Sequence, residues 1–158
     1  MSDNQGATSR YLSFVLGESV YAIPVGKVEV VLEMQAITRV PNAKPIVCGV
    51  INHRGSVVPV IDLAVSFSGS GQQNLAVAAL IVLQLECDGE LASFAMLADG
   101  VREVIDLDAS VIEAIPDLGT RPSAGQAGNE KFVQAIAHVS DGFVIIVDMD
   151  AVYREAAA

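Results

Sequence analysis

Positive charge is scarce in this 158-residue chain: 9 lysines and arginines stand against 19 aspartates and glutamates, for a net charge of −10 at pH 7. Binding to a nucleic-acid backbone or an anionic membrane surface needs clustered positive charge, so nucleic acid is not an expected partner. Long apolar runs are missing too. The longest, Leu75–Leu83, has nine residues, whereas a membrane helix needs about 20. It reads as a buried strand or core segment, and no membrane insertion is expected. The amino terminus, MSDNQGATSR, lacks the basic and apolar regions of a secretory leader, which points to a cytoplasmic protein. Only two cysteines occur, Cys48 and Cys87, and both sit among apolar neighbours, the setting of reduced core thiols.

Signatures of catalysis and cofactor binding are equally absent. Neither G-x-G-x-x-G after a strand nor G-x-x-x-x-G-K-[ST] is present, so there is no phosphate cradle. His53, His138, Cys48 and Cys87 are scattered rather than paired at zinc-ligand spacing. Asp106 and Asp108 begin like a calcium loop, but Val111 stands where that loop needs glycine and Asp117 where it needs glutamate. No G-x-S-x-G elbow supplies a hydrolase nucleophile. Asp148 and Asp150 could serve as acid and base, but nothing in the sequence marks a cleft around them. No metal, no cofactor and no enzymatic activity are expected.

What is present is a series of short apolar runs separated by turn signals. Ile46–Ile51 and Ser56–Leu63 flank Asn52, His53, Arg54 and Gly55, the pattern of a β-hairpin. Their lack of polar alternation predicts strands covered on both faces, leaving only the turn wet. Tyr11–Leu16 and Val20–Val25 form a first hairpin around Gly17-Glu18-Ser19. Val28–Leu32 is Val-rich and reads as strand, with room for a short turn before it. The Gly/Ser-rich stretch 66–74 is a flexible connector and a candidate subdomain boundary.

The second half repeats the first in outline. Two apolar runs surround Asp88-Gly89; Val101-Arg102-Glu103-Val104-Ile105 echoes Val28–Leu32; Ile112–Pro116 echoes Ile37–Pro41. After a second loop at 119–129, a hairpin around Ser140-Asp141-Gly142 echoes the one around Arg54, with Val147-Asp148 in the place of Ile61-Asp62. Shared composition among β-rich segments would also produce such echoes. Strands at intervals of about 8 to 12 residues predict an all-β barrel or sandwich architecture, and the repeat predicts two units. Residues 1–9 read as a disordered tail, and Asp150–Ala158 as a short closing helix.

With no catalytic motif, the informative side chain is Arg54. Held in a turn between strands, its guanidinium can offer five donors to a partner's carboxylate, or it can be solvated or paired internally. His53 beside it reads as a turn residue.

At this hairpin the chain resembles a known family. Gly49–Leu63 closely follows the G-V-x-N-x-R-G-x-x-x-P-V-x-D-L signature of the CheW-like family, the adaptors that couple chemoreceptors to the histidine kinase CheA. Phe14–Glu18, Tyr21–Pro24, Val28–Val31, Thr38–Pro41, Asp99–Val104 and Val147-Asp148 follow in the family's order, so the likeness spans about Arg10 to Val152. The resemblance implies an all-β fold of two SH3-like five-stranded barrels, intertwined within one domain at 10–155. It implies a non-enzymatic scaffold in a chemosensory array. One barrel's end would meet the regulatory domain of a CheA-type kinase, and the groove near the N-x-R-G turn would receive the receptor's cytoplasmic tip. Val28, Asn52, Arg54 and Gly55 match the family's motif, and Val101 and Val104 match by pattern in the second repeat. Val30 occupies the family's usual Glu slot, and His53 stands where Leu is common. By strand alternation Glu29 should then point to the opposite face, leaving Arg54 without that partner. This departure raises an alternative job: an auxiliary or pathway-specific adaptor, for type IV pili or surface sensing, that binds kinase with altered receptor binding.

Overall fold

The computed structural model describes residues 8–17, 19–63, 79–87, 89–113, 132–140 and 142–157. The expected disordered tail therefore falls almost wholly outside the described residues, as do both connectors. Among the described residues, eleven strands and one helix are delimited from end to end. They are β1 (Thr8–Leu16), β2 (Ser19–Pro24), β3 (Val28–Glu33), β4 (Val47–His53), β5 (Ser56–Ile61), β6 (Ala79–Cys87), β7 (Glu90–Ala98), β8 (Gly100–Asp108), β9 (Ile112–Glu113), β10 (Val133–Val139), β11 (Gly142–Val147) and α1 (Met149–Ala157). A single 3-10 turn, Val25–Lys27, precedes β3, and another, Ala109–Val111, precedes β9.

The strands form two sheets, ordered β8-β1-β2-β11-β10-β9 and β3-β6-β7-β5-β4. The orders are the same in outline, so the repeat is structural rather than compositional. The hairpin β1–β2 corresponds to β6–β7, yet each of these hairpins sits in the sheet built by the other repeat's remaining strands. The exchange is made by the turn at Val25–Lys27 and at Asp99, between β7 and β8. The strands on either side of the 66–74 connector, β5 and β6, lie in one sheet.

Each sheet has one parallel junction at matching places, Ile145 beside Tyr21 and Val60 beside Ala95. Register shifts match as well, between Leu12 and Phe14 on β1, Val28 and Val30 on β3, Val47 and Gly49 on β4, and Val133 and Ala135 on β10. The ends of each sheet are joined by the segment following its first strand. Thr38 exchanges both backbone hydrogen bonds with Val50 of β4, and β9 pairs with β10 in the same way. Closure of this kind removes exposed strand edges. Ile37–Pro41 thus contributes one bridge rather than a full strand.

Apolar side chains sort into three clusters. The central one takes Leu12, Phe14, Tyr21 and Ile23 from one sheet and Ile81, Leu83, Phe94 and Met96 from the other. Ile51, Val58, Val60, Leu80, Val82, Ala95 and Leu97 fill the interior of the five-stranded barrel, and Leu107, Ala135, Ala137 and Ile146 that of the six-stranded one. Alternate residues of β6 thus enter different cores, which is why its sequence is almost continuously apolar. Burying each large aliphatic or aromatic side chain contributes roughly 1.5–3 kcal/mol. The helix closes the central cluster with Met149 and Val152, and Tyr153 packs its ring 5.6 Å from that of Phe94. Asp148 caps it, its Oδ1 accepting from the Ala151 amide at 3.1 Å.

Candidate functional site

The β4–β5 hairpin turns at Arg54 and Gly55, whose φ values of 55° and 82° are both positive. Positive φ at both central residues is the pattern of a type I′ turn, whose twist matches the flanking strands. Glycine adopts it without strain. The Gly55 amide donates to Asn52 Oδ1 at 3.1 Å, so Asn52 serves the turn itself. Arg54 projects from this frame with 74% of its side chain exposed.

Water reaches further down the hairpin than its composition predicts. Ile51, Val58 and Val60 are buried, but Val57 is 72% exposed and Ser56 is exposed beside it. Among the described residues nothing covers Val57 and Ser56 at the hairpin tip. The corresponding place on β11 holds Phe143, also exposed, opposite His138.

The partner of Arg54 is Glu29. Its Oε2 lies 3.7 Å from Arg54 Nη1 and 3.5 Å from His53 Nε2. The expectation that Glu29 faces away from Arg54 is overturned by the bulge in β3. Val28 pairs with Leu83 and Val30 with Val82, so Glu29 is the extra residue between two adjacent positions of β6. Cross-strand partners share a face; Val28 therefore packs against the central core with Leu83, and Val30 against the barrel interior with Val82. Strict alternation breaks at Glu29, whose carboxylate reaches the hairpin. No glycine or turn residue in Val28–Leu32 marks this bulge. The one sequence signal is the family motif, which places a glutamate one residue later.

Of the other anticipated residues, Val30 is a packing residue, and Val28 is half-buried against the core. Val101 and Val104 lie on β8 in the other sheet. Val101 packs against the central core; Val104, 50% exposed, lines an open groove of about 450 Å³ with Glu103, Asp106, Asp108 and His138. His138 pairs there with Glu113.

A second groove, also about 450 Å³, is lined by Arg39–Pro45, Val47 and Cys48. Burial, and then the negative charge of Asp62, push the Cys48 thiol up to about 11, and its Sγ is 3.5 Å from the Val60 carbonyl. A thiol so disfavoured as thiolate is a poor nucleophile at neutral pH. Among the described residues, no group of His, Cys, Asp and Glu is placed to hold a metal ion, and no helix is long and apolar enough to cross a membrane.

Comparison with known proteins places this geometry in context. A family described as "CheW-like domain" matches residues 10–157. The chain is 28% identical over 140 residues to a chemotaxis protein CheW of Klebsiella aerogenes, covering 89% of this chain and 78% of that one. It is 29% identical over 143 residues to that of Bacillus subtilis, covering 90% and 85%. Among solved structures, the scaffolding protein TtCheW from Thermoanaerobacter tengcongensis superposes with a TM-score of 0.72 at 30% identity, over 90% of each chain.

Proposed function

Because this chain belongs to the CheW-like domain family, we propose that it is a non-enzymatic scaffold linking the cytoplasmic tip of a chemoreceptor to the regulatory domain of a CheA-type histidine kinase. Its place would be the cytoplasm, recruited to membrane receptor arrays through its partners. The observation that carries the reading is the β4–β5 turn, where the hairpin presents an exposed arginine whose carboxylate contact among the described residues is long. Exposed Val57 beside it adds an apolar contact of the kind a helical partner can cover. A guanidinium next to an apolar patch fits an amphipathic helix bearing a carboxylate. The Glu29 contact supports this reading over the auxiliary-adaptor one, which the departure at Val30 motivates.

Co-sedimentation with receptor-tip fragments, with and without the cognate kinase, tests the proposal. Binding to both, strengthened when all three components are present, is the expected result. Binding to neither would overturn it.

A further inference from the structure

A single carboxylate oxygen at the hairpin faces two donors. Glu29 Oε2 is 3.5 Å from His53 Nε2 and 3.7 Å from Arg54 Nη1. Charge-assisted hydrogen bonds of this type close to about 2.7–2.9 Å. The carboxylate is therefore held tightly by neither. The two donors sit in unlike surroundings: the His53 side chain is only 13% exposed, that of Arg54 74%. Buried His53 Nε2 has no hydrogen-bond partner among the described residues, and such atoms are few in folded proteins. Strand β5 places Ser56 across from His53, while the charged groups facing the ring are Glu29 from β3 and Arg54 from the turn.

We propose that His53 is a positioning residue for Arg54: protonated, it draws the Glu29 carboxylate to itself and releases the guanidinium to a partner's carboxylate. Imidazole is the side chain that changes charge within the physiological range. Charging it converts an unmade contact into an ion pair at a side chain only 13% exposed, where attraction is screened less than at the exposed arginine. Of two competing contacts to one oxygen, the less screened one wins. The proton comes from solvent, and the change is reversible. The role rests on the adaptor reading insofar as Arg54 meets a partner, but the linkage between His53 and Arg54 belongs to the free protein.

Nitrogen-15 NMR of the intact chain between pH 8.0 and 5.5 tests it. The Arg54 Nε–Hε signal is expected to move with the same midpoint as the His53 ring signals, and to stop doing so in Glu29→Gln and in His53→Gln. An Arg54 signal that ignores the His53 transition in the unaltered protein, or that follows it in Glu29→Gln, would overturn the proposal. Co-sedimentation with receptor-tip fragments at pH 8.0 and 6.0 provides the second readout. Binding should tighten about two- to fivefold at the lower pH, the range of one exposed ion pair, and be flat in His53→Gln. Absence of binding at both pH values would sink the adaptor reading, while the NMR linkage still decides the role of His53.

Discussion

A Cβ atom placed on Gly49 would lie 2.4 Å from the carbonyl oxygen of Thr38 and 2.6 Å from Ile37 Cγ2. The φ of Gly49, 152°, is itself one that side chains rarely adopt. The close approach is where the five-stranded barrel shuts, since Val50, the next residue, exchanges both backbone hydrogen bonds with Thr38. Gly49→Ala is expected to destabilise the fold by about 2–4 kcal/mol, combining overpacking with backbone strain. Urea denaturation checks this, with Gly26→Ala, where nothing lies within 4 Å, as the control. A Gly49→Ala midpoint equal to that of the control would mean that closure does not depend on the approach.

Arg54→Ala separates partner binding from folding. The side chain is largely exposed and its contact to Glu29 is long, so stability should change by no more than about 0.5 kcal/mol. Binding to the receptor-tip fragment should fall about tenfold, as for a residue central to an interface. A variant that unfolds would place Arg54 among the structural residues instead.

The Cys48 thiol, held up to about 11, should be slow to alkylate. Shifting a thiol from its ordinary value of 9.0 to about 11 lowers the thiolate fraction at pH 8 about a hundredfold. In a Cys87→Ser background, iodoacetamide should therefore react with the native protein about a hundredfold more slowly than with the urea-unfolded chain. The same shift makes stability fall as pH rises from 9 toward 11, because the unfolded chain loses its proton first. Equal native and unfolded alkylation rates would contradict the burial of this thiol.

Asp148→Ala removes the cap of α1 and should cost about 1 kcal/mol. The loss should appear as earlier amide exchange in the helix, since Val152 and Tyr153 dock it onto the central core. Asp148→Asn, which keeps the accepting oxygen, should restore most of the protection.

Legibility differed from element to element. Apolar runs and turn signals located the β4–β5 and β10–β11 hairpins to within a residue or two, and the echo of Val28–Leu32 in Val101–Ile105 foretold two units, which the structure gives as two sheets of like order. The exchange of hairpins between those sheets left no mark on the local patterning; only the family resemblance implied intertwined barrels. It depends on where the short turn at Val25–Lys27 and the bend at Asp99 send the chain.

The sequence by itself determined that this is an all-β chain of paired units without catalytic motifs, and that an arginine sits at the tip of one hairpin. Those properties follow from local patterning, which neighbours along the chain express directly. Only the tertiary structure decided that Arg54 has a carboxylate beside it. Side-chain alternation sends Glu29 the wrong way, and a bulge against β6 turns it back. A bulge is a mismatch between two strands, set by the pairing of Val28 with Leu83 and Val30 with Val82 across a fold that no single stretch of sequence contains.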